Sequence, residues 1–230
     1  MELPINNKAV ITSKNIKKSF SNDSVVLVTL DMSYPEIKLK DNTLSQEKIN
    51  KRYQLIAKNF YTYVSVTLVK NAQKEYEDSI KDDFPFRPFD AVMKYTVTLN
   101  DYCHLSTYFD RYEYTGGAHG NTRRSSDNWD LQTGKRVEMQ DLFKPGTDYK
   151  KSVIEQIIKI ADKEYTENPY IYFDNYKELI VKYFDPKSFN LNPKTLSVYY
   201  QQYDIGPYVS GIIVFELPYA MVGAKKPQCY

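Results

Sequence analysis

The sequence predicts an α+β fold: antiparallel sheets, one long helix in the N-terminal half, and one or two shorter helices in the C-terminal half. Three observations carry this. Runs with two-residue apolar alternation, such as Met93, Tyr95, Val97 and Leu99, outnumber helical stretches. A stripe at helical spacing runs through Ile49, Tyr53, Ile56, Phe60, Tyr63, Thr67, Leu68, Ala72, Tyr76 and Ile80. The strands are mostly joined by short turn-forming clusters, the order expected when helices pack on antiparallel sheet.

Strands are expected over 11–20 and 25–32, separated by the turn cluster Ser21-Asn22-Asp23-Ser24, with Pro35 closing the second. Thr43-Leu44-Ser45-Gln46 fits a capping box, with Thr43 as N-cap and Gln46 reaching back. The long helix that follows ends at Asp82-Asp83-Phe84-Pro85. Its β-branched Val64, Val66 and Thr67 leave packing, more than intrinsic propensity, to support it. Pro85 and Pro88 bracket a linker into strands over 91–99 and 105–114. A glycine loop, a strand over 128–131 and a turn at Thr133-Gly134 come next. A second helix, capped near Thr147 or Asp148, buries Val153, Ile154, Ile157, Ile160, Ala161 and Tyr165 and stops at Asn168-Pro169. A short helix over 176–183 and strands over 196–200 and 212–217 complete the chain. The organisation reads as two units, 1–100 and 101–230.

At 230 residues the chain is long enough to bury a core without staples. Its 31 basic and 29 acidic residues nearly cancel, which argues against a nucleic-acid binder, whose affinity rests on clustered positive charge. Arg123-Arg124 and Lys225-Lys226 therefore read as solvated surface. No apolar run approaches the ~20 residues of a membrane span. Residues 1–8 lack the apolar core of a signal peptide, which leaves two settings open: cytoplasmic, or envelope-facing after removal of a leader or anchor. The two cysteines, Cys103 and Cys229, do not make a disulfide framework, though one bridge is possible. With His104 and His119 they match no zinc spacing, and no metal or cofactor is expected.

The densest feature is Tyr114-Thr115-Gly116-Gly117-Ala118-His119-Gly120, which gathers three of the 8 glycines and one of two histidines. Phosphate-binding glycine loops feed a helix N-terminus, but this one lies between strands and has no Gly-x-Gly-x-x-Gly. It reads as a strand-to-strand corner, with His119 hydrogen-bonding across the loop. As a general base His119 would still need a nucleophile and an orienting acid, and no spacing supplies them. The second dense stretch is Tyr203-Asp204-Ile205-Gly206-Pro207-Tyr208-Val209-Ser210-Gly211, a turn with several aromatics. Tyrosine is in excess, with 22 copies; it builds strands and also supplies rigid contact area with a polar tip. No catalytic residue is expected. Candidate binding residues are Tyr112, Tyr114, Tyr203, Asp204 and Tyr208; Gly116, Gly117, Gly120, Gly206, Pro207 and Gly211 belong, with Tyr114 and His119, to structural motifs.

The glycine loop is followed by Trp129-Asp130-Leu131-x-Thr133-Gly134-Lys135 and Asp141-Leu142-Phe143-Lys144-Pro145-Gly146. Then come Leu196-Ser197-Val198-Tyr199-Tyr200, Tyr203-Asp204-Ile205-Gly206-Pro207-Tyr208, Gly211 and Phe215-x-x-Pro218-Tyr219. Together these resemble the RsiV-like domain, the ectodomain type of lysozyme-sensing anti-sigma factors. The first hundred residues resemble in outline the companion domain ahead of it, which also occurs at the N-terminus of PdaC-type peptidoglycan deacetylases. The resemblance implies a bacterial, non-catalytic module at the cell envelope that binds a protein such as lysozyme, or a cell-wall glycan. This sequence departs from the anti-sigma factors in having no transmembrane helix and no sigma-binding segment, and it has no attached deacetylase domain. Two alternatives stand beside that reading: a cell-wall hydrolase centred on His119, and a structural accessory domain.

Overall fold

The computed structural model describes residues 8–229; the segment 1–7, most of the stretch read for a signal peptide, and Tyr230 lie outside them. The fold is α+β. Strands β1 (Val10–Asn22) and β2 (Val25–Lys38) form an antiparallel hairpin. Pro35 does not close β2, which runs on opposite β1 with Ser13 facing Pro35. The reason lies two residues later. Ile37 N–H donates to Asn50 Oδ1 (2.8 Å) and its carbonyl accepts from Asn50 Nδ2 (2.9 Å), so this side of the strand faces a helix. Backbone polar groups two residues apart point the same way, so the N–H that Pro35 lacks would also have pointed off the β1 ladder.

Helix α1 (Thr43–Thr62), a π-helical turn (Tyr63–Leu68) and α2 (Val69–Lys81) make one continuous rod. The π turn follows from the stripe. Ile56, Phe60, Val64, Leu68 and Ala72 are all buried and recur in steps of four. At about 100° per residue, each such step overshoots a full turn by roughly 40°, so the stripe would rotate off the sheet. The wider i→i+5 turn restores the facing. The cap is Asn42, one residue before the predicted Thr43. Asn42 Oδ1 accepts from Ser45 N–H (3.1 Å), while its amide donates to Leu131 O (3.1 Å) and Gln132 O (2.6 Å). Those two carbonyls fix the carboxamide where it caps best, and Gln46 is left to receive Leu39 N–H instead (2.9 Å).

Strand β3 (Phe89–Asp101) lies parallel to β2, from Val28 opposite Phe89 to Met32 opposite Met93. The first sheet is thus mixed, where only antiparallel pairing was expected. A strand that leaves through a long crossover helix returns in its original direction. Strands β4 (His104–Tyr114), β5 (Asn121–Asp130) and β6 (Lys135–Arg136) follow antiparallel, giving the order β1-β2-β3-β4-β5-β6. One face of this sheet packs on the helical rod, with Leu30, Met32, Leu105 and Phe109 buried among Ile49, Tyr53, Phe60 and Val64.

The second core gathers α3 (Tyr149–Glu167), α4 (Tyr176–Tyr183), a three-stranded antiparallel sheet and the short α5 (Tyr219–Val222). That sheet runs β7 (Phe189–Leu191), β8 (Thr195–Tyr200), β9 (Ile213–Pro218). Val153, Ile157 and Ala161 of α3 are fully buried with Val198, Phe215 and Leu217. Strand β7, three residues long, is too short to show a period, and nothing in the sequence marked it.

The outer edge of β7 stands against the other face of the first sheet. Leu191 N–H donates to Ser106 Oγ (3.0 Å), Leu191 O accepts from Thr98 (2.8 Å), and Phe189 O accepts from Asn128 Nδ2 (3.0 Å). Asn190 Nδ2 reaches Thr107 O (3.1 Å), and its Oδ1 accepts from Ser126 (2.9 Å). Ser106 Oγ donates to Asn128 Oδ1 (2.6 Å). Side chains of β3, β4 and β5 thereby do for β7 what a neighbouring strand would. Removing one of them strands backbone groups in a dry interface. A disulfide joins Cys103, in the β3–β4 turn, to Cys229 near the C-terminus, across a sequence separation of 126. Among the described residues, no helix is long and apolar enough to cross a membrane.

Two outcomes follow. Asn128→Ala should lower the unfolding free energy in urea by about 1–3 kcal/mol, because Phe189 O loses its donor. Reduction, or Cys103→Ser with Cys229→Ser, should cost about 2–5 kcal/mol by the same measurement, since the bridge closes a long loop in the unfolded chain.

Candidate functional site

The glycine loop is the β4–β5 hairpin connection: Glu113 faces Asn121 in register, and residues 115–120 cross between them. The glycine of the corner with no room for a side chain is Gly120. A Cβ there would sit 2.3 Å from the Tyr112 ring and 2.5 Å from Glu113 O. Gly116 takes a φ of +90°, whereas a Cβ on Gly117 would meet nothing within 4 Å. Tyr112 therefore packs under the loop. Tyr114 points elsewhere, its hydroxyl 3.4 Å from Arg87 Nη1.

His119 is exposed at the tip and leaves the hairpin to meet the 201–211 loop. Its ring stacks on Tyr208, centroids 3.8 Å apart and planes at 19°. Nδ1 lies 3.1 Å from Gly120 O, and Nε2 lies 3.3 Å from the Tyr203 hydroxyl. A carbonyl only accepts, so Nδ1 carries a proton, and Nε2 shares a hydrogen bond with the Tyr203 hydroxyl. Tyr203 in turn lies 5.9 Å from the Tyr208 ring. The two dense stretches of the sequence thus converge in one aromatic cluster, bordered by Val209, which is 86% exposed.

Tyr203 is held in the left-handed region, φ +67°, an uncommon conformation for a bulky side chain. Asp204 holds it there. Its Oδ2 accepts from Gln201 N–H (2.8 Å), and its own N–H donates to Gln201 O (3.1 Å), closing the turn around Tyr203. Burial raises the Asp204 pKa, against the hydrogen bond from Gln201 and the charge of Arg123. Asp204 is thus a turn-former facing inward, while Tyr203 and Tyr208 face the cluster. Gly206 lets the loop press onto its neighbour, since a Cβ would meet Ile171 O at 2.3 Å. Pro207 precedes the 3-10 turn Tyr208–Ser210, and Gly211, at φ +61°, ends it.

The loop is anchored through two side chains that nothing in the sequence marked. Gln201 Oε1 accepts from Arg124 N–H (2.8 Å) while its Nε2 donates to Arg124 O (2.9 Å), and Gln202 Oε1 accepts from Thr122 N–H (2.5 Å). Strand β6 covers β5 only at Trp129 and Asp130; Val137 N–H and Arg136 meet Asn128 O and Ser126 O, and these glutamines cap the edge at Thr122 and Arg124. Arg124 itself is not solvated surface, as its sequence neighbourhood implied. It makes a two-pronged pair with Asp110 (2.7 Å at Nε and at Nη2) and lies 3.7 Å over the Tyr108 ring. Burial would pull its pKa down, but the Asp110 bonds and charge hold it raised.

Gly120→Ala should therefore destabilise the protein by about 1–3 kcal/mol through overpacking. His119→Ala, at an exposed position, should cost less than about 1 kcal/mol. Paired urea titrations check both; equal losses would contradict the assignment of the corner to Gly120.

Comparison with known proteins places two family models on the chain. Residues 21–122 match Deacetylase PdaC, and residues 140–220 match a protein family of unknown function, DUF3298. No curated protein matches the chain. Among solved structures, a member of the DUF3298 family from Bacteroides fragilis NCTC 9343 is similar in fold, at a TM-score of 0.71 and 18% identity over 96% of each chain. A DUF3298 family protein from Pseudomonas aeruginosa PAO1 aligns at a TM-score of 0.57 and 17% identity, over 99% of this chain and 96% of that one. The chain is thus similar to PdaC over 21–122 and to DUF3298 over 140–220, in a fold like that of both solved DUF3298 proteins.

Proposed function

We propose that this chain is a non-catalytic recognition module of a bacterial cell-envelope protein, and that it binds through the His119–Tyr208–Tyr203 cluster. The observation that carries the reading is the cluster's construction. Two loops more than 80 positions apart in the sequence converge on it, and Tyr203 is kept in a strained backbone conformation to present its ring. Strain of this kind persists where the surroundings enforce it, and it gathers at sites of function. Rigid aromatics with polar tips are the side chains that anchor interfaces at low entropic cost.

The envelope setting draws on the two family models, the first of which takes its name from a deacetylase, and on the disulfide, since such bonds persist in oxidising compartments. An accessory domain of an envelope protein is the coarser form of this reading. The finer form follows the RsiV-like resemblance and takes lysozyme, or a cell-wall glycan, as the ligand. A hydrolase centred on His119 would need a group for the imidazole to activate. Its ring nitrogens instead meet a backbone carbonyl and a tyrosine hydroxyl.

Calorimetric titration with lysozyme and with soluble peptidoglycan fragments tests the reading. One of the two should bind, and Tyr203→Ala with Tyr208→Ala should weaken it by about tenfold or more, as loss of interface anchors does. Silence with both ligands would remove the recognition role. Turnover of the fragments that disappears in His119→Ala would transfer support to the hydrolase.

A further inference from the structure

The helix-covered face of β4 and β5 holds a second feature, separate from the aromatic cluster. Arg111 and Arg123 stand directly opposite each other in the antiparallel register. Side chains so placed share one face with Cβ atoms about 4.5–5.5 Å apart, and like charges there destabilise the pair. The carboxylates nearby, Glu113 and Asp127 toward Arg111 and Asp204 toward Arg123, offset this charge without forming a salt bridge to either arginine among the described residues. Glu113 accepts from the Tyr63 hydroxyl (2.9 Å), and buried Asp127 lies 3.0 Å from both Arg52 Nε and Arg136 Nη2. Neither the Arg111 nor the Arg123 side chain makes a salt bridge or a hydrogen bond among the described residues, and Arg111 Nε is buried with no partner. Burial, then the charge of Arg52, lowers the Arg111 pKa against the charges of Glu113 and Asp127.

These two arginines line an open cavity of about 340 Å³ together with Glu113, Asn121, Arg124 and Ser125. That volume falls at the small end of ligand pockets. Asn121 and Ser125 add neutral hydrogen-bonding groups beside the two guanidiniums, whose planar forks match the oxygens of carboxylates and phosphates. We propose that this cavity binds an oxyanion, the phosphate or carboxylate group of a small ligand, clamped between Arg111 and Arg123. The bound group adds negative charge between the two guanidiniums, beyond what Glu113 and Asp204 supply, and Arg111 Nε gains an acceptor.

The test is an NMR titration of the intact protein, following the arginine Nε–Hε signals, with inorganic phosphate in one arm and acetate in the other. Ionic strength is held constant with chloride, so that screening does not pass for binding. The Arg111 signal should shift saturably with at least one anion, and the responding arm identifies the oxyanion class. Arg123→Gln, at an exposed position, should weaken that binding by about tenfold or more, since charged hydrogen bonds are lost. The same variant in chloride alone should melt higher than the native protein, because the like-charge pair is gone. Absence of a saturable shift with both anions, or unchanged affinity in Arg123→Gln, would overturn the site.

Discussion

The architecture depends on how one short strand is seated. Strand β7 has a partner on one side only, and its other edge would be an array of unpaired backbone groups buried in an interface. Thr98, Ser106 and Asn128 meet those groups from the face of the first sheet, and Ser126 holds Asn190 in place. An apolar interface would bury the same area without fixing how the two sheets cross. Polar groups buried at Ser106, Asn128 and Asn190, each 2% exposed or less, must be satisfied together, so only one docking arrangement serves.

That seating has consequences along the chain. With β7 fixed, β8 leads directly from the seam into Gln201 and Gln202, whose side chains close the free edge of β5. The loop beyond them then arrives at the tip of the β4–β5 hairpin, where Tyr203 and Tyr208 meet His119. The two faces of β4 and β5 therefore carry different chemistry. One bears the Asp110–Arg124 salt bridge beneath the second core; the other bears Arg111 and Arg123 opposite each other, with no salt bridge to either among the described residues. The contrast arises from alternation along a single strand, since neighbours such as Arg123 and Arg124 point to opposite faces.

The fold was readable in the sequence wherever a period was long enough to register. The helical stripe from Ile49 to Ile80 and the alternation through Met93 to Leu99 are of that kind, as are the turn clusters at Asp23 and Gly134. The parallel β2–β3 pair was not, because strand direction is set by the crossover and not by either strand's residues. The π turn was visible in retrospect as a run of four-residue steps. For the candidate site, Tyr203, Tyr208 and His119 stood out as types and clusters, but their meeting depends on contacts across more than 80 positions. The roles of Gln201 and Gln202 were hidden for a different reason. A glutamine that caps a strand edge looks in sequence like any surface glutamine.

The seating of β7 is tested most directly by native-state hydrogen exchange at the Leu191 amide. Its acceptors are side-chain oxygens of Ser106 and Asn128, not a neighbouring strand. Exchange there should require global unfolding, with protection matching that of Val198 on the central strand β8 and of Phe215, its partner on β9. An amide at Leu191 that exchanges by local opening, at the rate of an unpaired edge strand, would contradict the account.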